Sequence, residues 1–122
     1  MSLTEYRTKP LPRETLLEEL EHVCLRAAGG AEHLLVSYGW GSALELDAMW
    51  QAEPVAARSV RSHVLEAELA GTVEVEKADI FVEGNGLSLK LCHEGDAHIS
   101  GDSPLVAEIE QCVVVKFFRT AR

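Results

Sequence analysis

The chain has 122 residues, 47% of them hydrophobic, and a formal net charge of -9 from 20 acidic against 11 basic side chains. That length suits a single domain with one hydrophobic core, and the composition excludes both intrinsic disorder and a disulfide-held miniature. The acidic balance opposes attraction to phosphate backbones and anionic lipid, so neither nucleic acid nor a membrane is an expected partner.

The charge is unevenly placed: residues 71–110 hold nine acidic and two basic side chains, whereas residues 111–122 hold three basic and none acidic. Cys24, Cys92 and Cys112 are far apart and form no CxxC pair, and the N-terminus has no apolar leader. A reducing, cytoplasmic setting is therefore expected. No apolar run approaches the roughly 20 residues needed to cross a bilayer.

Residues 1–10 read as a flexible polar arm. Pro12 suits the first position of a helix over 12–29, where Leu16, Leu20, Val23 and Ala27 recur at helical spacing. Leu17 and Cys24 broaden that apolar face, Glu18, Glu19, Glu21 and Arg26 are expected at the surface, and Gly29-Gly30 supplies the stop. EHLLVSYG alternates as a strand does, and after Gly39-Trp40-Gly41-Ser42 the segment ALELDAMW alternates again, which predicts a hairpin. Pro54 follows that segment. Alanine, leucine and glutamate then favour a helix over 57–70, with Val60, Val64, Leu65 and Leu69 inward.

VEVEKADIFVEG is strand-like with a change of phase that places a bulge or turn near Glu76-Lys77. Asn85-Gly86 is the clearest hairpin signal, because both residues tolerate the positive φ of a two-residue turn. The strand after it leads into LCHEGDAHI, read as an exit loop before a short helix over 103–111. VVVKFF favours a last strand, and residues 119–122 are expected to fray. The fold class is α+β: a mostly antiparallel sheet of four to five strands with two or three helices on one face.

LCHEGDAHI is also the densest chemical cluster, gathering Cys92, His93, Glu94, Asp96 and His98. HExxH, paired-cysteine zinc patterns, an EF-hand loop, a P-loop and a nucleophile elbow are all absent. An extended backbone would send Cys92 and His93 to opposite faces. His93, Asp96 and His98 converge only if Gly95 turns the chain.

These observations favour a noncatalytic acidic protein-binding domain of the inhibitor or immunity type, acting on a basic toxin or effector and needing no cofactor. Glu74, Glu76, Asp79, Glu83, Glu94 and Asp96 would supply its field, and Trp40 or Trp50 its apolar anchor. Homodimerisation through an uncovered sheet edge or helix face is a further expectation. The alternative is a small metal-dependent hydrolase or cupin-like enzyme, with His93, Asp96 and His98 as ligands and Glu94 as general base.

Overall fold

A computed structural model of the chain describes residues 4–8, 10–28, 33–84, 86–101 and 119–120, and the side chains of 4–7, 26–28 and 119–120 lie outside that description. The elements run β1 (Thr4–Arg7), α1 (Arg13–Ala28), β2 (His33–Tyr38), β3 (Glu53–Ala56), a 3₁₀ turn (Ala57–Ser59), α2 (Val60–Leu69), β4 (Ile80–Gly84), β5 (Leu87–Leu91), β6 (Ala97–Gly101) and β7 (Arg119–Thr120). All strand pairings are antiparallel, in the order β3-β2-β4-β5-β6-β1-β7. The α+β class is as predicted, with more strands than the four to five expected. The expected helix over 103–111, the VVVKFF strand and the Gly29-Gly30 stop lie outside the described residues.

Register aligns one apolar face across the sheet. Val36 stands opposite Val82, Val82 opposite Leu89, and Leu89 opposite Ile99. A second row joins Tyr38, Ile80, Leu91 and Ala97 in the same way. These residues are buried together with Leu16, Leu17, Leu20, Val23 and Cys24 of α1 and Val60 and Val64 of α2. One face of each helix therefore closes the core against one face of the sheet. Gly84 makes room for this packing, because a Cβ there would stand 2.5 Å from Leu34 Cδ2.

Arg13 joins the two helices through Glu68 at 2.5 Å, and Glu68 also accepts the Val75 amide at 2.9 Å. Burial works to raise the Glu68 pKa, but the Arg13 hydrogen bond, the Val75 amide and the Arg13 charge outweigh it and hold the carboxyl below its ordinary value. Leu69, expected inward, is the last residue of α2 and is exposed, whereas Glu19, expected at the surface, is buried. Glu19 lies between Leu16 and Val23 at helical spacing, within a broader inward face than the leucines alone define.

Several local expectations change. ALELDAMW is not a strand: it folds into turns in which the Ala48 and Met49 amides donate to the Glu45 carbonyl at 2.9 and 3.1 Å. It holds no β-branched residue, and the seam of β2 is filled instead by Glu53–Ala56. Pro54 thus sits inside β3, where an edge strand tolerates a missing amide. The turn expected at Glu76-Lys77 is present, with Glu76 at φ 83°. β4 and β5 pair from Gly84 opposite Leu87, with Gly86 at φ 77°, while Asn85 lies outside the described residues.

Residues 4–7, expected in a loose arm, form β1 between β6 and β7. Arg119 and Thr120, expected to fray, pair with Arg7 and Tyr6. These strands have only four and two residues, too few for alternation to announce them.

Leu89→Ala should cost about 2–5 kcal/mol in chemical denaturation, because it opens a cavity in the central row. Glu68 gives a pH signature of defined sign. Its folded pKa is lowered, so its stabilisation is present above the ordinary carboxyl range and is lost as pH falls through the folded value. Acid titration of the melting temperature should therefore flatten in Glu68→Gln over that range.

Candidate metal centre

β5 ends at Leu91, which pairs with Ala97 at the start of β6. The intervening chain closes on itself: the Cys92 amide donates to the Asp96 carbonyl at 2.7 Å and the Gly95 amide to the Cys92 carbonyl at 2.9 Å. Gly95 adopts φ 91°, the left-handed turn conformation that glycine reaches without steric cost. LCHEGDAHI is therefore a second hairpin, and its last residues are a strand rather than a loop leading to a helix. The alternation of buried Ala97 and Ile99 with His98 and Ser100 carried that signal.

The segment after β1 braces the turn. The Leu11 amide donates to the Gly95 carbonyl at 2.9 Å, the Thr8 amide to the Ala97 carbonyl at 2.9 Å, and the Ala97 amide to Thr8 Oγ1 at 3.0 Å.

This geometry places Cys92 between two imidazole–carboxylate pairs. On one side His93 Nδ1 lies 2.7 Å from Asp79 Oδ1 and 3.9 Å from Cys92 Sγ. On the other, His98 Nε2 lies 2.8 Å from Asp96 Oδ2. Two sets of ligand atoms result, Asp79–Cys92–His93 and Cys92–Asp96–His98, and within each set all atoms lie inside 4.8 Å of one another. The expected His93–Asp96–His98 trio is thus divided, with Asp96 and His98 together and His93 in the other set. Strand alternation does not separate Cys92 from His93, because the strand has already ended.

Asp79 was expected to contribute to an exposed acidic field, yet it is only 3% exposed. Its Oδ1 accepts both the His93 amide at 2.8 Å and the ring, and Lys90 Nζ stands 3.9 Å from Oδ2. That carboxylate is satisfied and already faces a cation.

Asp96 differs. Its Oδ2 meets His98, while its Oδ1 is buried with no hydrogen-bond partner. An orphaned buried carboxylate oxygen is costly unless something fills the space beside it. The second set is therefore the better cation site. Its donors combine a sulfur, an imidazole nitrogen and a carboxylate oxygen, a mixture suited to zinc or a similar borderline ion. Burial pushes the Cys92 thiol up, the Glu94 amide and the Lys90 charge work against that, and the Asp96 carboxylate adds to it through its charge and a weak hydrogen bond from the thiol.

The same nitrogen of His93 faces both Asp79 and Cys92, so this ring cannot take a proton from sulfur with one nitrogen while a carboxylate orients the other. That geometry does not fit a cysteine–histidine nucleophile. Cys24 is a buried helical residue whose thiol is pushed up to about 12 by burial, as expected of a structural cysteine.

Of the remaining candidate partner residues, Glu74, Glu83 and Glu94 are exposed and Glu76 is half-buried. Trp40 and Trp50 are 55% and 42% exposed and meet edge to face at 5.3 Å. No helix among the described residues is long and apolar enough to cross a membrane.

Comparison with protein-family models, curated proteins and solved structures finds no match for this chain.

Asp79→Ala should lower stability by about 2–4 kcal/mol in thermal or denaturant unfolding, since it leaves the His93 amide and ring without their partner and frees the Lys90 charge. Glu83→Ala, at an exposed position, should stay within about 0.5 kcal/mol of the parent.

Proposed function

We propose that this chain is a small metal-dependent enzyme of the hydrolase type, with its ion held by Cys92, Asp96 and His98. The observation that carries this reading is the convergence of those three donors beside an Asp96 oxygen that is buried and unpartnered. Three protein ligands leave one tetrahedral position for water, the pattern of a catalytic rather than a closed structural zinc site. A bound ion would lower the pKa of that water and supply a nucleophile at neutral pH. Glu94, exposed on the same turn, is the carboxylate we assign to take its proton. The His93–Asp79 pair fixes the turn from the other side. A single sheet with two helices against it differs from the two-sheet jelly roll of a cupin, which favours the hydrolase form of the reading.

A noncatalytic role in binding a basic protein is the second reading. The specific observation in its favour is the exposed Trp40–Trp50 pair on a fixed loop. Trp50 adopts φ 61° and donates its amide to the Tyr38 carbonyl at 2.7 Å, so its left-handed backbone is held by the sheet. Glu45 and Asp47 are exposed in the same loop and would complement a cationic partner.

Zinc titration followed by elemental analysis should give about one ion per folded chain. Cobalt in place of zinc should show a thiolate-to-metal charge-transfer band that disappears in Cys92→Ser. Asp96→Asn and His98→Ala should weaken binding by at least about 100-fold, whereas Asp79→Asn should change it far less. Equal loss with Asp79→Asn would move the ion to the other set of donors, and no binding to the parent chain would reject the metal reading. Hydrolysis of an ester or phosphoester panel should require the ion and fall in Glu94→Gln with zinc affinity unchanged.

A further inference from the structure

A second chain of polar side chains lies apart from the Cys92 cluster. Tyr38 Oη is 2.8 Å from His63 Nδ1, and His63 Nε2 is 2.7 Å from Glu53 Oε1. The Tyr38 and His63 rings stack with centroids 6.0 Å apart and planes at 19°. All three residues line a cleft of about 510 Å³ between α2, the β2–β3 edge and the loop 39–52. That volume lies in the range of small-molecule sites. Val36, Leu44, Ala48 and Ala67 provide its apolar wall.

The hydrogen-bond chain has a direction. An ionised carboxylate only accepts, so Glu53 places the proton of a neutral His63 ring on Nε2. Nδ1 is then an acceptor, and the Tyr38 hydroxyl must donate to it. Burial, reinforced by the Glu53 charge, pushes the Tyr38 pKa up to about 12, so the phenol keeps its proton for that bond. With the proton committed to His63, the Tyr38 oxygen can offer the cleft only lone pairs.

The charged part of the lining points the same way. Gln51 gives one amide hydrogen to the Asp47 carbonyl at 2.5 Å and keeps one N–H beside its oxygen, and Thr72 brings a hydroxyl, so these two can donate or accept. Glu53 and Glu66 are acceptors with negative charge, and among the described residues no lysine or arginine lines the cleft. The complementary ligand carries donors and positive charge at one end and apolar surface at the other. An ammonium group has three donors and no acceptor.

We infer that this cleft is a second ligand site, and that it takes a small organic amine with an apolar body. Its wall is stable enough to be preformed. The Ala43 amide donates to the Thr72 carbonyl at 2.7 Å and the Trp50 amide to the Tyr38 carbonyl at 2.7 Å, tying loop 39–52 to both sides. This inference does not rest on the metal reading, and neither depends on the other's success.

The test uses the full chain and three probes of one shape: benzylamine, benzyl alcohol and benzoate, titrated against a nitrogen-15 and methyl NMR spectrum. Benzylamine should shift Ala48, Ala67 and His63 with saturation, and bind at least about tenfold more tightly than either analogue. Glu66→Gln, an exposed substitution, should reduce that preference with the fold intact. His63 ring nitrogens should report the Nε2–H tautomer. In Glu53→Gln the amide can donate to Nε2 instead, which would move the ring proton to Nδ1, free the Tyr38 proton and raise the relative affinity for benzyl alcohol. Equal binding of the three probes, saturation at some other surface, or no saturable binding would each overturn the inference. A His63 ring carrying its proton on Nδ1 would do the same.

Discussion

A carboxylate taken out of water must find partners inside the protein, and Asp79 finds them on two separate turns. Its backbone holds the start of the tryptophan loop, with its amide donating to the Trp40 carbonyl at 2.7 Å and its carbonyl accepting the Gly39 amide at 3.0 Å. Its side chain holds the turn after β5 through the His93 amide and ring. One residue just before β4 thus fixes both loop 39–52, which walls the Tyr38–His63–Glu53 cleft, and the turn that carries Cys92 and Asp96. The desolvation cost of the charge is offset by hydrogen bonds that only this arrangement supplies. The two sites differ in chemistry but share this anchor.

Around that anchor the sheet divides its labour by face. Val36, Val82, Leu89 and Ile99 build the core, while Phe81, Lys90 and His98 follow one another across the opposite side. Lys90 passes over the Phe81 ring with Nζ 5.6 Å from its centroid, so the apolar stem and aromatic surface cover each other. The candidate donors run from His98 on this outer face into the β5–β6 turn with Cys92 and Asp96. They rest on strand register at one end and on the closed turn at the other, and both are rigid supports for a functional site.

The legibility of the sequence follows the number of residues that share a periodic pattern. α1 spans 16 residues with a continuous apolar face, and its position was readable within a residue or so. The β4–β5 hairpin was readable from Asn85-Gly86 and its flanking apolar residues. β1 and β6 were missed because a strand of four or five residues is defined by its neighbours more than by its own composition. At the candidate metal centre, Cys92, Asp96 and His98 were visible as a local cluster. Asp79 was not, because its approach to His93 across 14 positions arises from the pairing of β4 with β5. The Tyr38–His63–Glu53 chain was equally hidden. Its members belong to β2, α2 and β3, and the third is a strand of four residues that sequence reasoning did not assign.

The proline of that strand, Pro54, bears on how the chain meets its own kind. β3 forms one border of the sheet, and a border strand normally presents a row of free amides and carbonyls to which a neighbouring chain can add. β3 has four residues, its proline has no amide to give, and Glu53 and Pro54 are exposed. A second molecule approaching here would find a template too short to hold a register and lacking a donor at its centre. β3 therefore offers little to the growth of the sheet from molecule to molecule, and a second copy meeting this border would have to be held by side chains.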